Sequence, residues 1–275
     1  MRLEALGPLT VTVAGETVAI RSGKQRALLA ILLAQAGRHV SPRRLTQSLW
    51  DEPPASAAEN LRLHLYYLRR ALGDPDRVVR EPAGLRLVVR PGEVDLADFD
   101  RLARDGDHAL AQGRPERAGK VYAEALALWR GPAYGELAEV QLVRESVLRL
   151  NEARLRVIEQ RITADLALGR HAVLVAELIP LVAEHPLRER LRAHLMRALD
   201  RCGRRADALE VYRVGRQTLV REQGLEPGPE LRAVHDSILR EEVTPESDRR
   251  WLASPPRSGA GCVRCRRAGR RRSHG

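Results

Sequence analysis

Between Ser56 and Gly73, Leu61, Leu65, Leu68 and Leu72 recur at spacings of four, three and four. That spacing marks the buried face of one helix, which turns about 100° per residue. The same rotation points Leu63 and Arg70 directly outward and sets Arg62, Tyr66 and Tyr67 beside them. Such a face has a definite chemistry. A guanidinium pairs bidentately with a guanine edge, and a tyrosine bonds to phosphate through its hydroxyl or packs on a thymine methyl. Arg62, Tyr66, Tyr67 and Arg70 are therefore the candidate base-reading residues of a helix lying in a DNA groove. Asn60 in the first turn, Arg69 to one side, Arg43 and Arg44 on the preceding helix, and Arg80 and Arg86 on the following hairpin are candidates for the sugar-phosphate backbone. His64 sits on the same helix, placed either to touch DNA or to edge the core.

The surrounding elements must hold that helix. Leu3 and Ala5, then Leu9, Val11 and Val13, then Val18 and Ile20 alternate between Gly and Pro turns, which predicts a small antiparallel sheet. Lys24 to Ala36 reads as a helix with Leu28, Ile31 and Leu32 on one face and Gly37 at its end. Ser41-Pro42 predicts an N-cap and a first-turn proline for a second helix carrying Leu45, Leu49 and Trp50. Ser56-Ala-Ala-Glu59 predicts a capping box for the third. After Asp74-Pro75, the segments Val78-Val79 and Leu85-Leu87-Val89 flank Pro82-Ala83-Gly84 and predict a β-hairpin. A small sheet, three helices and a hairpin within residues 1–92 are the parts of a winged helix-turn-helix.

From Asp95 onward the pattern is helical throughout. Phe99, Leu102, Ala103, Gly106 and Leu110 form one stripe, and Ala118, Val121, Tyr122, Ala125 and Trp129 the next. A long helix is expected with Leu148, Leu155, Ile158, Ile162 and Leu166 on one side, and further helices from about Ala172, Leu187, Ala206 and Pro229. Gly113-Arg114, Gly169-Arg170 and Gly203-Arg204 each precede a helix. The last two lie 34 residues apart, the tetratricopeptide period. Residues 93–242 are thus expected to form an all-α, tetratricopeptide-like domain, which makes the protein mainly α. The Pro-, Gly- and Arg-rich stretch 243–275 is expected to be disordered.

Charge follows the same division. Residues 1–92 carry 14 basic and 8 acidic side chains, and residues 243–275 carry nine Arg against two acids, within a net charge of +11. The middle is nearly balanced. A basic module beside a neutral one suits a nucleic-acid reader joined to a unit with another partner. Three cysteines make no disulfide framework. Without a signal peptide or a membrane-length apolar run, they point to a reducing, cytoplasmic compartment. Cys262 and Cys265 have metal-ligand spacing, but a structural zinc site needs about four ligands, and no second pair accompanies them. No phosphate-binding loop, Rossmann glycine pattern, His-Glu-x-x-His or Gly-x-Ser-x-Gly occurs, so neither an enzyme nor a cofactor is expected.

At this point a resemblance is plain. The phrases LGPLTV at Leu6–Val11, GKQRALLAILL at Gly23–Leu33 and ENLRLHLYYLRRALGD at Glu59–Asp74 resemble the SARP family, the Streptomyces antibiotic regulatory proteins. So do ADLALGRH at Ala164–His171, EHPLRERLRAHLMRAL at Glu184–Leu199 and GLEPGPEL at Gly224–Leu231. The resemblance runs from Met1 to about Glu241. It implies an OmpR-type winged helix followed by a bacterial transcriptional activator domain. It also implies binding to direct repeats near promoters of biosynthetic genes, protomers side by side on double-stranded DNA, and recruitment of RNA polymerase holoenzyme. The rival expectation is a helical-repeat adaptor that binds DNA only weakly and without sequence preference. An RNA-binding protein is disfavoured by the lack of aromatic stacking platforms.

Overall fold

The computed structural model describes residues 1–240. The Arg-rich stretch with Cys262 and Cys265 lies outside the described residues. The N-terminal alternation forms an antiparallel sheet of β1 (Arg2–Glu4), β2 (Thr10–Val13) and β3 (Glu16–Thr17), with Leu3 opposite Val11 and Thr12 opposite Thr17. The third strand is shorter and earlier than Val18–Ile20. The Ala14-Gly15 turn has φ of 52° and 87° and returns the chain at once, pairing Val13 with Glu16.

Helix α1 (Gly23–Ala34) is buried at every residue from Ala27 to Leu33. A helix apolar on all sides belongs in the middle of a domain, and α1 packs against both helices that follow it in this half. Helix α2 (Pro42–Leu49) starts as expected: the Ser41 Oγ accepts from the Arg44 amide at 3.3 Å, with Pro42 in the first turn. Helix α3 (Ala57–Ala71) buries Leu61, Leu65 and Leu68, with Leu72 buried just after it. The capping box at its start does not form. Ser56 has φ −84° and ψ 8° rather than the extended conformation a cap requires. Its Oγ instead accepts from the Asn60 Nδ2 at 3.1 Å. The wing is β4 (Val78–Glu81) paired with β5 (Gly84–Leu87) across Pro82-Ala83.

The helical half comprises α4 (Asp95–Ala111), α5 (Pro115–Ala127), α6 (Gln141–Ala167), α7 (His171–Glu184), α8 (Glu189–Arg201), α9 (Arg205–Gln223) and α10 (Pro229–Arg240). Successive helices pack as neighbours, α4 on α5, α7 on α8 and α8 on α9. Small residues permit the closeness: a Cβ on Gly106 would stand 2.4 Å from the Tyr122 ring. No helix among the described residues is long and apolar enough to cross a membrane.

The 27-residue α6 serves two apolar clusters. One runs from Leu3 through the winged-helix half to Ala164, and the other from Leu155 to Ile238. This double duty corrects one expectation. Leu148 shares a stripe with Leu155 and Ile162, yet it is 66% exposed. Helices α7 and α8 cover the later part of that stripe only, and among the described residues nothing is packed over its start.

The first cluster has members on both sides of the expected boundary between residues 92 and 93, and polar contacts reinforce it. The Leu3 amide donates to the Glu93 carbonyl at 2.7 Å. The Ala5 and Leu6 amides donate to the buried Asp95 carboxylate at 2.8–2.9 Å. In return the Ala5 and Leu6 carbonyls accept from the amides of Tyr134 and Arg130. Arg77, itself buried, makes a two-pronged pair with Glu93 at 2.6 and 2.8 Å. The base of the wing and the segment leading into α4 are thereby joined.

Candidate nucleic-acid interface

The seam of α3 decides what its other face presents. With Leu61, Leu65 and Leu68 buried, residues Arg62, Leu63, Tyr66, Tyr67 and Arg70 are all exposed. Tyr66 and Tyr67 are 58% and 44% exposed and meet edge to face, with ring centroids 5.3 Å apart. Two large aromatic side chains held in water on a helix flanked by arginines form a surface built to be covered.

Arg62 is also brought to Arg43 and Arg80. The three line one hollow of about 380 Å³ between α2, α3 and the wing, with Thr46, Ala58 and Leu61 among its other walls. Its shape follows from the elements. Pro42 opens α2 beside the start of α3, and the wing is pinned alongside by paired bonds between Val40 and Leu85, at 2.8 and 2.9 Å. A hollow rimmed by guanidiniums can seat the anionic oxygens of a phosphate. Thr46 was not singled out from the sequence. Its place three residues after Arg43, on the same turn of an amphipathic helix, was the available signal.

The remaining candidates are placed differently. Arg44 is exposed but lines a separate cleft of about 650 Å³ with Arg38 and Arg149, between α1, α4 and α6. Arg69 points to the wing, donating from Nε and Nη2 to the Val78 carbonyl at 2.9 and 2.5 Å. It ties α3 to the hairpin. Arg86 pairs with Glu81 at 2.8 Å, and Glu81 also meets His39 at 2.9 Å. The Arg86 bond, then the His39 bond, hold the Glu81 carboxyl below the usual carboxylate range. The Asn60 amide is engaged with Ser56. His64 is half-buried with its ring 6.1 Å from that of Trp50. Burial and then the charge of Lys24 push its imidazole below the ordinary value, favouring the neutral form.

Comparison with known proteins bears on the fold and family of both halves. The family described as bacterial transcriptional activator domain matches residues 94–239, and that described as transcriptional regulatory protein, C terminal, matches residues 15–83. Regulatory protein DnrI of Streptomyces peucetius is 38% identical over 251 residues, covering 87% of this chain and 92% of DnrI. Regulatory protein AfsR of Streptomyces coelicolor is 40% identical over 246 residues, covering 87% of this chain but only 24% of AfsR. Among solved structures, Mycobacterium tuberculosis EmbR in complex with a low affinity phosphopeptide superposes with a TM-score of 0.83 at 36% identity, covering 87% of this chain and 65% of that one. A winged-helix half joined to an activator-type helical half, matched over nearly the whole described length, places the chain in the SARP family of transcriptional regulators.

Proposed function

We propose that the protein is a sequence-specific activator that binds double-stranded DNA at direct repeats near the promoter of a secondary-metabolite, antibiotic-type gene cluster. Arg62, Tyr66, Tyr67 and Arg70 read base edges from the major groove. Arg43 and Arg80, with Arg62 at the rim of their shared hollow, grip the backbone. Arg86, Arg44 and Asn60 add contacts at the margins, and Arg69 positions the wing. The helical half meets RNA polymerase holoenzyme and neighbouring protomers. The protein acts on the nucleoid in the cytoplasm, with no catalysis and no cofactor of its own.

The observation that carries this reading is the exposed Arg-Tyr-Tyr-Arg face of α3, opposite a fully buried leucine seam and beside an anchored basic wing. Footprinting of the chain on DNA upstream of neighbouring biosynthetic genes, at two salt concentrations and against random competitor, tests it. Protection of a repeated short motif that survives competitor is the expected result. Diffuse protection that disappears with salt reflects charge alone and transfers the function to a helical-repeat adaptor.

A further inference from the structure

Helix α7 carries an apolar face that no other described residue covers. Ala172, Val173, Ala176, Ile179, Pro180 and Ala183 are all exposed, with Val173 at 72% and Ile179 at 53%. Four of them, Ala172, Ala176, Ile179 and Ala183, follow spacings of four, three and four. That is the spacing by which one helix seats on another. The opposite side of α7 already buries Leu174, Val175, Leu178 and Val182 against its own domain. α7 is therefore apolar on two sides while only one is covered, mainly by α8. The acid in mid-helix is drawn off the outer face, because Glu177 is bonded to Arg161 of α6. Contiguous exposed apolar patches of this kind mark interaction sites.

The charges at the two ends identify the occupant. Arg170 stands at the N-terminal end, with one guanidinium nitrogen bonded to Asp165 at 2.8 Å and the side chain still 56% exposed, beside the half-buried His171, and exposed Glu184 closes the C-terminal end. Two copies of α7 laid antiparallel and centred between Glu177 and Leu178 bring Ala172 of one opposite Ala183 of the other. The same register brings Ala176 opposite Ile179, and His171 and Arg170 next to Glu184. Antiparallel helix dipoles add to the match. The face is self-complementary in its residue spacing and in the sign of its end charges, which is the condition for a two-fold contact. We infer that α7 is the interface of a symmetric dimer formed with a second copy of this chain. The covered surface is one helix face per protomer, at the small end of specific interfaces, so association is in the micromolar range or weaker. A two-fold contact cannot relate neighbours on a direct repeat, which follow one another head to tail. This interface is thus distinct from the neighbour contact proposed above, and it stands or falls without DNA.

Sedimentation equilibrium of the full chain, without DNA and over about 5–500 µM, tests the inference. The expected result is a reversible monomer–dimer equilibrium. Ile179→Glu should weaken it at least about tenfold, and so should Val173→Glu. Both positions are already in solvent, so circular dichroism and melting should stay unchanged. Glu184→Lys should also weaken it, and more so at low salt. A chain that sediments as a monomer throughout, or a dimer indifferent to Ile179→Glu, overturns the proposal. A monomeric chain whose promoter activation is nonetheless lost in Ile179→Glu also overturns it, because the face then serves a different protein.

Discussion

The Asp95 carboxylate, at the first residue of α4, accepts the Ala5 amide on both oxygens at 2.8 and 2.9 Å, and the Leu6 amide joins at 2.9 Å. An acid 2% exposed holds the turn that leaves β1, and through it the two halves are bonded rather than merely adjacent. Burial pushes the carboxyl up from its ordinary value, against the pull of the two amides and of Arg130. Asp95→Ala leaves both amides buried and unpaired, at about 1–3 kcal/mol each. The expected outcome in thermal unfolding is a lower Tm and a transition that splits, with the winged-helix half melting first. A single unshifted transition would show that the apolar cluster alone joins the halves.

Base reading and backbone gripping give different mutational signatures. Arg62→Ala or Arg70→Ala is expected to cost about 1–3 kcal/mol on the operator and to flatten preference at one base pair. Arg80→Ala is expected to weaken operator and scrambled DNA alike and to lower the salt slope by about one. Fluorescence anisotropy titrations on both DNAs across a salt series separate the two. If both α3 variants keep full base preference, the reading face has been assigned wrongly.

Gly84 fixes where the wing sits. Its φ is +137°, and a Cβ there would stand 2.4 Å from the Val40 carbonyl oxygen. Gly84→Ala therefore has to push β5 away from Val40, losing the paired bonds of Val40 and Leu85. The expected cost is about 1–3 kcal/mol of stability, with a larger loss of DNA affinity than of helix content. Retention of full affinity would mean that the wing does not touch DNA.

His194 is buried beside the second cluster, and among the described residues neither ring nitrogen has a hydrogen-bond partner. Burial, then the charges of Arg197 and Arg190, push its pKa down to about 3. The unfolded chain takes up this proton near the ordinary value of 6.5, whereas the folded chain resists it. Unfolding therefore gains a proton as pH falls, and stability is lost between about pH 6.5 and 3, on the order of a few kcal/mol. His194→Leu should keep or raise stability at pH 7 and make the acid limb shallower. Urea unfolding at pH 7, 6, 5 and 4 checks this, and an unchanged acid limb in the variant would refute it.

Periodicity along the chain determined which face of α3 is buried and which is exposed, because a seam at four, three and four leaves no choice about the opposite face. It also determined the order of sheet, helices and hairpin, the helical second half and its Gly-Arg helix starts. Local spacing settles these features before any distant contact is made. Tertiary structure alone decided which arginines share a site. Arg43, Arg62 and Arg80 surround one hollow, while Arg44, one residue from Arg43, turns to another cleft and Arg69 is used up on the Val78 carbonyl. Position on a helix sets a direction, but the partner met in that direction comes from remote parts of the chain. The same reason explains the exposure of Leu148 and the burial of Asp95. One is an apolar residue with no described residue packed over it, and the other is an acid whose hydrogen-bond donors lie 89 and 90 residues away.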